Sequence, residues 1–103
     1  MNETFSQVGG VWLGSRSASK PLATLSGYRD ALRLSCFGRD YVFPSGNIAL
    51  SKFRFMLSVG LRIEHVIPLY PGSIVFWVSG LPFSSRFTLL KGQLNALGYE
   101  VQD

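Results

Sequence analysis

The sequence predicts an α+β domain, mostly β, in which a bent antiparallel sheet or partial barrel is capped by one C-terminal amphipathic helix. Three observations carry this. Apolar and polar residues alternate with period two in short runs between residues 31 and 78, separated by Gly- and Pro-containing turns. One stripe at helical spacing follows: Phe83, Phe87, Leu90, Leu94 and Leu97. Strands first and a helix last, with no β–α–β alternation, indicate an antiparallel sheet. A half-sandwich with a flanking helix is the competing architecture.

The elements follow in order. Residues 1–10 read as a flexible leader ended by Gly9-Gly10, so the domain is expected to span 11–103. Val11-Trp12-Leu13 is a short first strand or an apolar anchor. Residues 15–20 form a polar loop, residues 22–25 a short strand, and Tyr28-Arg29-Asp30 a turn. Leu32, Leu34 and Cys36 alternate with Arg33 and Ser35, and Gly38-Arg39-Asp40 reads as the hairpin turn before Tyr41-Val42-Phe43. Pro44-Ser45-Gly46-Asn47 is a strong turn cluster. A short pairing segment, 48–50, precedes a separate strand in which Phe53, Phe55 and Leu57 alternate with Lys52, Arg54 and Met56. Leu61, Ile63 and His65 then oppose Arg62, Glu64 and Val66. Pro71-Gly72 turns the chain into the uninterrupted run Ile74–Val78, which implies apolar cover on both faces. Ser84 or Ser85 is expected to cap the helix and Gly98 to occupy its C′ position. Gly92, inside the helix, is read as permitting close approach to the sheet, and Tyr99–Val101 as a final extended piece.

Composition narrows the function classes. A chain of 103 residues suits one domain. It is 47% hydrophobic and 16% charged, too apolar for a disordered segment. The formal charge of +4 comes from scattered Lys and Arg with no basic arm, so it reads as solubility and not as a nucleic-acid footprint. Cys36 is the only cysteine, which excludes an intramolecular disulfide and a cysteine-based metal cluster. Met1–Gln7 carries Glu3 and no cationic start of a secretory signal, so a cytoplasmic protein is expected. Residues 66–85 hold no charge and approach the length of a membrane span. Pro68, Pro71, Gly72, Gly80 and Pro82 would break such a helix, and two short strands around a turn fit better.

No catalytic or metal-binding constellation emerges, and no cofactor or metal is expected. His65 is the only histidine and lies on an alternating strand, so it reads as a packed residue and not a general base. Cys36 shares the apparent inner face of Leu32 and Leu34. Glu3, Asp30, Asp40, Glu64, Glu100 and Asp103 show no spacing for a paired acid–base site, and Asp30 and Asp40 read as turn formers. Val8-Gly9-Gly10 with Gly14 lacks the Lys and the following helix of a phosphate loop. Lys52-Phe53-Arg54-Phe55 interleaves cations with aromatics, but alternation sends the two sets to opposite faces, with core aromatics and solvated cations. Val75 and Trp77 face away from Ile74, Phe76 and Val78. Together with Val11, Trp12 and Leu13 they are the candidates for an interface.

The order of elements resembles the pleckstrin-homology-like superfamily. The resemblance is carried by Leu32-Arg33-Leu34, the run Tyr41–Ile48 and Gly60–His65. It continues in Pro71–Trp77 and the helix end Leu94–Tyr99. Small bacterial members and the related GRAM-type domains are similar across roughly Leu22–Val101. The resemblance implies a bent sheet with a C-terminal helix that binds lipid headgroups, peptides or proteins and is not an enzyme. Headgroup-binding members carry Lys and Arg on the loop joining the first strands, where Arg16 and Lys20, or Arg29, stand here. The expectation is therefore a non-enzymatic binding or assembly module, acting on a protein partner or on its own copy as a homo-oligomer. Anionic-lipid binding is the first alternative and a small enzyme the second.

Overall fold

The computed structural model describes residues 5–14, 16–55, 58–78 and 83–102, the side chains of 16–22, 55 and 83–85 excepted. The strands are β1 (Phe5–Leu13), β2 (Arg16–Gly27), β3 (Ala31–Cys36), β4 (Arg39–Pro44), β5 (Ile48–Phe55), β6 (Ser58–His65), β7 (Ile74–Trp77) and β8 (Val101–Gln102). A 3₁₀ turn, Ser45–Asn47, precedes β5, and helix α1 (Phe83–Ala96) precedes β8. All eight strands form one sheet in the order β4-β3-β2-β1-β7-β6-β5-β8. β1–β7 pair antiparallel with one another, and β8 runs parallel to β5. The sheet is open and does not close into a barrel. Its inner face and α1 enclose one core that includes Leu25, Leu34, Phe43, Leu61, Phe76 and Leu94.

The chain enters the sheet earlier than the leader reading allows. β1 begins at Phe5, which is buried, and Gly9-Gly10 continues the strand. A Cβ on Gly9 would lie 2.1 Å from the Trp77 carbonyl oxygen, so this glycine permits close packing of β1 on β7. Gly9 pairs with Ala23 and Val11 with Ala18, so residues 19–22 of β2 bulge opposite Gly10. The β3–β4 turn also falls earlier than Gly38-Arg39-Asp40. Phe37 and Gly38 both have positive φ (53° and 73°), as a two-residue type I′ connection requires, and Arg39 and Asp40 belong to β4.

Helix α1 buries Phe87, Leu90 and Leu94 of the expected stripe, Leu97 lies just past its end and is half-buried, and the Phe83 side chain lies outside the described residues. Ser84 and Ser85 fall within its first turn and not at its cap. Its C-terminus closes on Gly98 at φ 95°, with Gly98 N–H bonded to Asn95 C=O and Tyr99 N–H to Leu94 C=O, both at 3.0 Å. This is the Schellman pattern, and Leu94 and Tyr99 supply its apolar contact. Gly92, in contrast, is exposed, and a Cβ there would meet nothing within 4 Å. It does not serve close packing. Gly92→Ala is therefore expected to stabilise the fold by about 1 kcal/mol, read as a rise in the urea midpoint at unchanged slope.

Three tethers draw the open sheet around the core. The segment after β6 crosses to β4, where the Tyr70 hydroxyl accepts the Val42 N–H at 3.1 Å. The Tyr70 ring packs edge-on against Tyr41 and Phe43. On the other side the Tyr99 hydroxyl donates to Tyr28 C=O at 2.8 Å. Gln7 donates to Gln93 at 2.6 Å and ties β1 to α1. Among the described residues no helix is long and apolar enough to cross a membrane, and the uncharged stretch 66–85 contains β7 and the start of α1.

The Tyr99 tether is sensitive to alkali. Burial, and secondarily the Asp30 carboxylate, push the Tyr99 phenol from 10.0 up to about 12. The fold favours the neutral phenol, so its contribution is complete below pH 10 and is lost as pH rises from 10 towards 12. Tyr99→Phe is expected to cost about 1 kcal/mol at pH 7 for the lost hydrogen bond. The difference between variant and parent should narrow through the alkaline window. Urea unfolding of both chains at several pH values isolates this effect, because the other titrating groups are common to both.

Candidate functional site

Cross-strand register decides which side chains share the outer face of the sheet. Trp12 pairs with Val75 and Val75 with Arg62, while Trp77 pairs with Gly60 and Gly60 with Phe53. The three aromatic rings meet there. Trp12 and Trp77 lie 5.0 Å apart between centroids at 81°, Phe53 and Trp77 5.7 Å, and Trp12 and Phe53 6.3 Å. The Arg62 guanidinium lies 4.5 Å from the centre of the Phe53 ring. Gly60 creates the space: a Cβ there would stand 2.8 Å from both the Trp77 ring and Val75. All three aromatics are half-buried, a partly exposed ridge across β1, β7, β6 and β5.

Phe53 lies where the sequence placed a cation. β5 is one continuous strand, and Leu50 and Lys52 pair with the core residues Ile63 and Leu61. Lys52 therefore faces inward, its ammonium 5.6 Å from the Phe87 ring of α1, and Phe53 faces outward. The assignment of core aromatics and solvated cations is reversed at these positions. Of the expected interface residues, Trp12 and Trp77 are in the ridge. Val11 and Leu13 point into the core, and Val75 is only 2% exposed on the ridge side. Phe53 and Arg62 belong to the ridge although the sequence did not nominate them. The alternation of Arg62 against Leu61 and Ile63 pointed outward in the sequence, whereas the outward turn of Phe53 follows the phase of Ile48 and Leu50, which the competing phase of Phe53 and Phe55 obscured.

The expected anion-binding residues are spread along and beyond β2, and the side chains of Arg16 and Lys20 lie outside the described residues. Arg16 starts β2, Lys20 falls in its bulge, and Arg29 lies beyond its opposite end, exposed in the turn to β3. Arg29 instead lines an open cleft of about 520 Å³ with Ser45, Ile48, Leu97, Tyr99 and Glu100. Among the described residues, Glu100 is the only carboxylate lining that cleft, and no histidine or cysteine does.

His65 has structural work at both ring nitrogens. Nδ1 accepts the Ile67 N–H at 2.9 Å, which leaves the proton on Nε2 to donate to Pro71 C=O at 2.7 Å. The ring also packs against Phe43 and Tyr70. His65→Ala is expected to cost about 2 kcal/mol, roughly one for each hydrogen bond, with faster amide exchange across 66–73. Cys36 is buried, and Asp40 accepts the Ser35 hydroxyl at 2.7 Å inside the β3–β4 hairpin. Among the described residues no three of His, Cys, Asp and Glu are grouped to hold a metal ion. Comparison of the chain with protein-family models, with curated proteins and with solved structures gives no match.

Proposed function

We propose that this chain is a non-enzymatic binding module of pleckstrin-homology-like build, whose outer aromatic ridge takes an acidic segment of another protein. The build is supported by seven antiparallel strands followed by a C-terminal helix, and it departs from that plan at the parallel strand β8. The observation that carries the docking reading is the ridge itself. Trp12, Phe53 and Trp77 form a half-exposed aromatic surface with the exposed Arg62 upon it, and aromatic residues and arginine are favoured at interfaces. Arg62 lies on the ridge itself and the whole chain carries +4, so charge complementarity selects an acidic partner. A second copy would bring the same cation to the same surface.

Both tryptophans of the chain lie in the ridge, so intrinsic fluorescence reports on it directly. The test titrates the protein with length- and hydropathy-matched synthetic octapeptides, one alternating glutamate with valine and phenylalanine, the other with lysine in place of glutamate. Anionic phosphatidylserine vesicles form a third arm. The acidic peptide should shift the emission, and Arg62→Glu should weaken it about fivefold, the scale of one surface charge pair. A response to vesicles alone, or salt-resistant self-association seen by sedimentation without a peptide response, would overturn the reading.

A further inference from the structure

We infer that Arg62 and Glu64 together read the order of charges in the partner segment. An apolar side chain packs on the aromatic ridge, an acidic one two residues on meets Arg62, and a cationic one two residues further meets Glu64. This rests on the docking reading above and adds the sequence order that the surface selects. Alternation along β6 puts Gly60, Arg62 and Glu64 on the outer face, since Leu61 and Ile63 belong to the core. Gly60 lies between Trp77 and Phe53, Arg62 between Val75 and Ser51, and Glu64 beside Ala49. Successive rows of one face therefore present an aromatic pair, a cation and an anion, about 7 Å apart in turn.

Among the described residues these two are the only charged side chains on the outer face of β1, β7, β6 and β5. β1 and β7 contain no charged residue, and Lys52 and Arg54 share the opposite phase of β5. The two charges stand apart from each other. The Arg62 guanidinium is drawn over the Phe53 ring, 4.5 Å from its centre, in the row on the side away from Glu64. Among the described residues no ion pair joins Arg62 to Glu64. Both are exposed, and a shallow cleft of about 200 Å³ lies beside them, bounded by Gly72 and Ser73. A Cβ on Gly72 would meet nothing within 4 Å, so there is open room for a long cationic side chain next to Glu64. An extended segment places alternate residues on one side, in the same two-residue step as β6. Exchanging its acid and its cation loses both attractions and sets like charges together at both positions, which is how such a surface rejects the wrong order.

Titration of tryptophan emission in the full chain with two end-blocked peptides of identical composition tests this inference. One is Ser-Phe-Ser-Glu-Ser-Lys-Ser, and the other exchanges the glutamate and the lysine. Neither contains tryptophan, so the shift reports on the ridge. The first should bind about tenfold more tightly, the scale of two surface charge pairs gained and two repulsions avoided. Arg62→Glu combined with Glu64→Arg, both at exposed positions, leaves the net charge unchanged and should reverse the preference. Glu64→Gln alone should weaken the first peptide about threefold and strengthen the acidic octapeptide by a similar factor. A merely structural role for Glu64 would move both affinities in one direction. Equal responses to the two ordered peptides, or a preference for the exchanged one, while the acidic octapeptide still shifts the emission, would overturn the inference and leave the docking reading standing. If no peptide shifts the emission, the docking reading falls and this inference with it.

Discussion

Gly9→Ala is expected to destabilise the domain by about 3 kcal/mol or to prevent its folding, the upper range for forcing an atom into packed structure. The added Cβ would lie 2.1 Å from the Trp77 carbonyl oxygen and 3.0 Å from the Phe76 ring. The first of these is backbone in the middle of the sheet and has no rotamer by which to withdraw. Accommodation requires β1 and β7 to separate where they join the two halves of the sheet. Gly46→Ala is the control, since a Cβ there meets nothing within 4 Å, and it should change stability by no more than about 0.5 kcal/mol. Urea unfolding measures both. Equal effects at the two positions would contradict the close approach of β1 to β7.

Leu94→Ala is expected to cost between about 2 and 5 kcal/mol, as for other fully buried leucines. Leu94 is 0% exposed, packs in the core, and accepts the Tyr99 N–H that closes the helix. Its loss opens a cavity beneath α1 and weakens the approach to β8. Leu89→Ala, on the solvent face at 51% exposure, should stay within about 0.5 kcal/mol. Guanidinium or urea midpoints of the pair decide the matter. A comparable loss at Leu89 would mean that the helix presents a different stripe to the sheet.

The parts legible in the sequence were those set by local periodicity. The 3.6-residue stripe placed the buried side of α1, and Gly98 placed its end, because a left-handed C′ residue is a local steric requirement. The alternation of Leu32, Leu34 and Cys36 gave the inner face of β3 for the same reason. What depended on distant partners was not legible. Gly9-Gly10 has the composition of a chain break, and only the approach of β7 reveals it as a packing requirement. The β3–β4 turn was missed because Phe37 adopts a positive φ, which a bulky residue seldom does.

The most consequential difference concerns β5. Two apolar phases run through it, Ile48 and Leu50 in one, Phe53 and Phe55 in the other, so alternation alone leaves the inner face undecided. Pairing with Leu61 and Ile63 selects the first phase and sends Phe53 outward. One residue of register thus separates a bland half-buried strand from an aromatic surface bordered by cations. The candidate site could not be assembled from sequence because Trp12, Phe53 and Trp77 come from three strands, β1, β5 and β7, that the topology brings together around Gly60 of β6.

The placement of Phe53 carries the docking surface, so it is measured first. Nuclear Overhauser contacts from the Phe53 ring protons, in a uniformly labelled sample, report it directly. The expected result is contacts from Phe53 to the indoles of Trp12 and Trp77, together with contacts from the Lys52 side chain to the ring of Phe87. Contacts from Phe53 to Phe87 or Leu90 of the helix, with Lys52 free of them, would contradict the account.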